Sequence, residues 1–228
     1  MPFKIGGFQK TTFLDYPEKI ACIVFTTGCN FRCGYCHNPE LFKSEPVLTV
    51  PAFFDFLKSR KGKLDGVVIT GGEPTLQNGL EDFIKEIKNL EFLVKLDTNG
   101  TNPKILEYLL NLNLLNYVAM DIKAPLDKYK KITNVDFDIQ KIKDSINLIK
   151  NSEIDYEFRT TVVKSQLSFE DFKSIGMLLE GAKKYYLQKF VASKILDGAL
   201  MSAETYSDEE FKIILEELKQ YVKFIGVR

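Results

Sequence analysis

Apolar residues fall along this chain in two alternating rhythms. Short apolar runs recur at 20–26, 66–70, 92–96, 117–122, 157–163 and 185–190, as expected of parallel strands, several of them buried on both faces. Between them the apolar positions move to helical spacing. Leu80, Phe83, Ile84, Ile87 and Leu90 stand at i, i+3, i+4, i+7 and i+10, and Ile139, Ile142, Ile146 and Ile149 follow much the same rule. Ser207 precedes Glu210 by three residues, the pattern of a capping box, and opens a helix with Phe211, Ile214, Leu215 and Leu218 on one face. These stripes read as core contacts. Residues 224–227 read as a closing strand.

Alternating strands and helices imply parallel strands joined by right-handed crossovers. Six repeats are too few to close an eight-stranded barrel. The expected fold is α/β: an open, partial (β/α)6 barrel of parallel strands, with a doubly wound sheet as runner-up. The 228 residues show no linker, low-complexity tract or internal repeat, so residues 1–228 read as a single domain.

Composition narrows the class. A 45% apolar fraction supplies a full core, and Lys+Arg and Asp+Glu balance at 31 each, which gives no basic excess to draw nucleic acid. No run approaches the length of a membrane span, and the first residues lack a signal-peptide core. Four cysteines, three of them clustered, do not resemble a secreted disulfide framework. The expectation is a cytoplasmic protein with no membrane or nucleic-acid partner.

That cluster carries the chemistry. Cys29, Cys33 and Cys36 stand in G-C-N-F-R-C-G-Y-C-H-N-P, directly after the first predicted strand. Three thiolates can hold three irons of a 4Fe–4S cluster and leave the fourth without a protein ligand, the open position of a catalytic site. The rival is a zinc or iron–sulfur module without catalysis, with His37 (the only histidine) or Cys22 as fourth ligand. Structural zinc usually takes two ligand pairs a dozen or more residues apart, and no second pair exists here. Cys22 lies within an apolar strand and reads as a small core residue.

Polar residues collect at the other strand ends, where ligands bind in such folds. After the second strand, Gly71 and Gly72 would let backbone approach a ligand closely, and Glu73 offers an acceptor for an ammonium group. The third strand runs into Asp97-Thr98-Asn99-Gly100, whose Asn-Gly is also a common turn dipeptide. Alternation points Asp121 and Lys123 at one cavity, and Asp97 and Asp121 could share a hard cation. Arg159, isolated within the fifth strand, would clamp a carboxylate or form a structural salt bridge. The sixth strand ends near Gln188.

Together these motifs resemble the radical S-adenosylmethionine superfamily. Within it the chain is most similar to glycyl-radical-enzyme activating enzymes, closest to those serving anaerobic ribonucleoside-triphosphate reductase. The resemblance spans nearly the whole chain, through Gly6-Gly7-Phe8, Leu14-Asp15-Tyr16-Pro17, the cysteine run, G-G-E-P-T-L-Q, D-T-N-G and D-I-K. It implies that Cys29, Cys33 and Cys36 ligate one 4Fe–4S cluster and that Tyr35 and His37 lie along the adenosyl group of S-adenosylmethionine. Gly71, Gly72 and Glu73 would meet its amino group, and Asp121, Ile122 and Lys123 its ribose and carboxylate region. Arg159 would serve as the carboxylate clamp. Asp97, Thr98, the Ala119 carbonyl and Asp121 match a monovalent-cation site. The histidine such enzymes often carry after the sixth strand is missing, with Gln188 as the substitute. The implied partners are a glycyl-radical enzyme as protein substrate and a flavodoxin- or ferredoxin-like electron donor. The nearest alternative is a small-molecule enzyme like 7-carboxy-7-deazaguanine synthase, which tends to E-T-N-G and S-P-K where this chain has D-T-N-G and D-I-K.

Overall fold

The alternation of strand and helix is present over residues 3–228, the part of the chain described by the computed structural model. In chain order the elements are β1 (Ile5–Thr12), β2 (Ala21–Thr26), α1 (Val50–Ser59), β3 (Gly66–Gly71), α2 (Leu80–Asn89), β4 (Leu93–Thr98), α3 (Pro103–Asn111) and β5 (Tyr117–Asp121). There follow α4 (Tyr129–Thr133), α5 (Gln140–Asn151), β6 (Asp155–Val162), α6 (Phe169–Leu178), β7 (Tyr185–Lys189), α7 (Asp208–Leu218) and β8 (Ile225–Val227). Strand order in the sheet follows chain order. β2, β3 and β4 pair in parallel, as do β6, β7 and β8.

The six predicted strands are β2 to β7, and the closing strand is β8. One strand was not legible. β1, I-G-G-F-Q-K-T-T, has two glycines and a polar second half, so no apolar alternation announces it. It pairs antiparallel with β2, its register shifting between Ile5 and Gly7 and again between Gln9 and Thr12, as bulged edge strands do.

The chain divides into two compact units. One runs to Asn30 and takes in Glu40–Ala119 and Ser152–Asp155; the other takes in Phe31–Pro39, Met120–Asn151 and Tyr156–Arg228. In the first, Phe53 and Phe54 of α1 meet Phe83 of α2 with ring centroids 5.1 and 5.3 Å apart. Ala21 and Ile23 of β2, Val68 of β3 and Tyr117 of β5 form another apolar cluster with Tyr16. Cys22 is fully buried in β2, and burial pushes its thiol up to about 12, as suits a core residue.

In the second unit Tyr206 touches the rings of Phe169, Phe172 and Phe211 and donates to the Leu167 carbonyl at 2.7 Å. The predicted capping box opens α7: Glu210 N donates to Ser207 Oγ at 3.2 Å and Ser207 N to Glu210 Oε2 at 2.8 Å. Among the described residues, no helix is long and apolar enough to cross a membrane.

Candidate functional site

In the first unit, the loops after β2, β3 and β4 are hydrogen-bonded together. Beyond β2 the chain turns at Gly28, with φ +77°, and reaches Cys29. Gly72 N donates to the Thr26 carbonyl at 2.9 Å and Glu73 N to the Gly28 carbonyl at 2.8 Å, so the G-G-E-P segment lies directly on the approach to the first cysteine. This contact demands both glycines. A Cβ on Gly72 would stand 1.8 Å from the Gly28 carbonyl oxygen, and one on Gly71 (φ +113°) would stand 2.3 Å from Thr26 N. Beyond the ligand approach that the sequence suggested for these glycines, they admit neighbouring backbone. Gly72→Ala is accordingly expected to cost about 3 kcal/mol in urea unfolding. Gly198→Ala, with nothing within 4 Å of the added carbon, should be nearly neutral. Equal stability of the two variants would refute the interlock.

Glu73 is 1% exposed and firmly held. Its Oε1 accepts from Thr75 N (3.1 Å), Thr75 Oγ1 (2.5 Å) and Thr98 Oγ1 (2.7 Å), and its Oε2 from Asn99 N (2.7 Å). Burial pushes the carboxyl pKa up, and these four bonds pull against it. Oε1 is saturated; only Oε2 keeps an acceptor site for an ammonium.

Asn99 extends the chain of contacts to the sulfur. Its Nδ2 donates to Asn30 Oδ1 at 2.8 Å and reaches Cys29 Sγ at 4.0 Å, and its Oδ1 accepts from Thr101 N and Thr101 Oγ1. Asn30 in turn donates to Thr101 Oγ1 at 2.8 Å. The sequence reading passed over Asn99 as a turn residue and missed Asn30; its only signal was an amide adjacent to a candidate ligand. Asp97 pairs with Lys95 of the same strand.

In the second unit the rest of the cysteine run is pinned from two sides. Phe31 packs on Phe137 with centroids 5.0 Å apart, Arg32 N donates to the Thr133 carbonyl at 2.8 Å, and Asn134 Nδ2 to the Arg32 carbonyl at 2.9 Å. Leu196 N donates to the Cys36 carbonyl at 3.1 Å and Asp197 N to the Gly34 carbonyl at 2.9 Å. Cys36 N closes a turn on the Cys33 carbonyl at 3.0 Å. Cys33 is buried and Cys36 half-buried, like Cys29, and none of the three is in a disulfide. Burial raises the Cys33 thiol, while the nearby Lys123 ammonium lowers it. His37 Nδ1 lies 3.2 Å from Ser193 Oγ, with its ring 6.0 Å from that of Phe190.

Asp121, Lys123 and Arg159 form a charged cluster in this unit. Arg159 Nε donates to Asp121 Oδ1 at 2.9 Å and Lys123 Nζ to Asp121 Oδ2 at 3.1 Å. Burial would raise the Asp121 carboxyl, but the two cations hold it at about 2. Burial would likewise lower Lys123, and Asp121 holds it well above the usual lysine range. Two cations against one carboxylate leave a surplus positive charge. Tyr35, 4% exposed, feels this cluster and the Cys33 thiol, and burial raises its phenol far above the ordinary value. Tyr129 donates no charge but braces the turn, its hydroxyl accepting from Lys123 N at 3.1 Å. Ile122 is buried beside it: its N donates to the Arg159 carbonyl at 2.7 Å and its carbonyl accepts from Thr160 Oγ1 at 2.8 Å. Gln188 lies on β7 in register with Thr161.

Among the described residues no three histidine, cysteine, aspartate or glutamate side chains converge on a single metal ion. A four-iron cluster asks for something else. Each thiolate binds its own iron, so the donors are arrayed around the group rather than pointed at one centre. Three cysteines on one short run, none of them in a disulfide, supply that donor set.

Residues 23–179 match the family model of the Radical SAM superfamily. Over 98% of its length the chain is 32% identical to the Methanocaldococcus jannaschii protein named "Putative glycyl-radical enzyme activating enzyme MJ1227", covering 95% of that relative. A shorter match, 36% identical over 55% of this chain, covers 41% of a GTP 3',8-cyclase from Alkaliphilus oremlandii. Among solved structures, Streptococcus suis SuiB bound to S-adenosylmethionine superposes with a TM-score of 0.66 at 12% identity, over 89% of this chain and 48% of that one. The chain thus spans about half the length of SuiB, and at this identity the likeness speaks for the fold alone: the open α/β class that the strand alternation predicts.

Proposed function

The chain belongs to the Radical SAM superfamily, and from that premise we propose that it is a glycyl-radical-enzyme activating enzyme acting on an anaerobic ribonucleoside-triphosphate reductase. Residues 1–228 act in this reading as one catalytic domain in a reducing cytoplasm. The observation that carries it is the link from Glu73 through Asn99 to Cys29, which joins a sulfur donor and the G-G-E-P segment in one hydrogen-bonded unit. The similarity to a full-length relative named for glycyl-radical enzyme activation supports the choice of a protein substrate.

Cys29, Cys33 and Cys36 would hold the cluster, leaving one iron open. When bound, the cluster supplies the electron that cleaves S-adenosylmethionine to methionine and a 5′-deoxyadenosyl radical, which takes a hydrogen atom from a glycine Cα of the partner. A flavodoxin- or ferredoxin-like protein delivers that electron. The chain's own residues bind and orient. Peptide groups of Gly71, Gly72 and Glu73, with Glu73 Oε2, receive the amino group. The surplus positive charge around Asp121, Lys123 and Arg159 suits the methionine carboxylate, with Ile122 at the ribose. Tyr35 and His37 flank the adenosyl group, and Gln188 takes the place of the absent histidine.

The test is anaerobic mixing of reconstituted protein with dithionite, S-adenosylmethionine and each candidate partner. A glycyl-radical signal by electron paramagnetic resonance, with 5′-deoxyadenosine formed alongside, is expected with the reductase. Vigorous cleavage with no radical on any partner would move the reading to a small-molecule substrate. A colourless protein carrying one zinc would sink it.

A further inference from the structure

Lys95 is 1% exposed, a lysine built into the interior of the first unit. Alternation sets Leu93, Lys95 and Asp97 on one face of β4. Register places Val68 beside Lys95 and Ile23 beside Val68. Both neighbours belong to the apolar cluster that includes Tyr16 and Tyr117, against which Leu93 also packs. The lysine stem therefore continues an apolar row, and its ammonium emerges toward the carboxyl end of the strand. There Nζ pairs with Asp97 Oδ1 and stands 5.8 Å from the centroid of the Tyr117 ring. Withdrawing an ammonium from water costs several kcal/mol unless an anion faces it. Asp97 is that anion.

Asp97 is also the residue expected, with Thr98, the Ala119 carbonyl and Asp121, to ligate a monovalent cation. The side chains as they stand do not fit that ion. A bound alkali ion takes oxygen lone pairs that no other cation holds. Asp97 already carries the Lys95 ammonium. The Thr98 hydroxyl donates to Glu73 and accepts from Gly100 N at 3.1 Å. Asp121, in the other unit, has a cationic partner on each oxygen.

We propose that the Lys95 ammonium stands in permanently for the monovalent cation. It acts as a positioning residue that neutralises Asp97 and fixes its carboxylate, so that the protein needs no added alkali ion. An ammonium is a compact point charge, like the ion it replaces, but its tether keeps it in place at any salt composition. The inference rests on the proposed S-adenosylmethionine site only for its ligand-binding readout.

The thermal midpoint and the S-adenosylmethionine affinity of reconstituted protein would be measured in potassium, sodium and tetramethylammonium chloride at equal ionic strength. The wild-type midpoint is expected to agree within about 1 °C across the three salts, and the affinity within about twofold. Lys95→Ala should lose about 8 °C in tetramethylammonium chloride and regain at least half of the loss with potassium or methylammonium. Lys95→Met, which fills the space, should lose stability without regaining it. Potassium-specific stabilisation of the wild type would overturn the proposal, and so would a Lys95→Ala protein that matches the wild type in every salt. Should Lys95→Ala fail to fold, the wild-type salt comparison still decides. If the wild type binds no S-adenosylmethionine in any salt, the proposed function fails while the midpoints continue to test this inference.

Discussion

Alanine at Cys29, Cys33 or Cys36 is expected to abolish release of 5′-deoxyadenosine and to bleach the brown colour of anaerobically reconstituted protein, whereas Cys22→Ala leaves both intact. None of the four thiols is in a disulfide, so their difference lies in setting. Cys22 is fully enclosed by β2 and its neighbours, its thiol raised to about 12, with no route to a metal. Cys29 and Cys36 are half-buried, and the loop that carries them is held by backbone bonds at Gly28, Gly34 and Cys36 rather than by the thiols. Removing a sulfur therefore takes away a cluster ligand and leaves the loop scaffold in place. Iron content and the visible absorption of each variant check this, with circular dichroism confirming the fold. A Cys22→Ala protein that loses its iron as completely as the others would mean the ligand set is wrong.

The parts legible in the sequence were those whose signal is local. Parallel strands declare themselves by apolar runs, and six of the eight strands followed from that rule alone, with β8 behind them. The cysteine trio and the Ser207–Glu210 box are fixed spacings and needed no tertiary information. β1 was hidden because its place comes from pairing with β2 and not from its own pattern. The site was less legible where a residue's partner is not declared by the local pattern. Gly71 and Gly72 gave no sign of the Gly28 and Thr26 backbone packed against them. Asn99 looked like a turn because its sulfur partner is seventy residues away. Alternation sets Lys95 and Asp97 on one face of β4, but it does not say that the ammonium folds onto the carboxylate.

Asp121→Asn is expected to destabilise the protein at neutral pH by about 4 kcal/mol, because it leaves the Arg159 and Lys123 cations without their shared anion. Asp121 is 27% exposed at its side chain, so the loss falls inside the range for interior pairs and not at the near-zero value of surface ones. The pH dependence follows from the direction of the carboxyl shift. Its folded pKa, about 2, lies below the ordinary 3.8, so the unfolded chain binds the proton more readily. The contribution is therefore complete above about pH 4 and is lost as pH falls toward 2. The displacement corresponds to about 2 kcal/mol of the variant's deficit. Urea unfolding of wild type and variant at pH 7 and near pH 2 reads this directly, the gap between them narrowing by that amount. A gap that stays constant with pH would mean that the cluster does not hold Asp121 ionised. The same substitution bears on function from the opposite side: with the carboxylate gone, the positive charge facing the methionine carboxylate grows, so affinity for S-adenosylmethionine should fall far less than stability does. Arg159→Gln reverses the pattern, since Lys123 and Asp121 then neutralise each other and the surplus charge that attracts the ligand disappears. Measured side by side, the two variants separate the structural part of the cluster from its binding part.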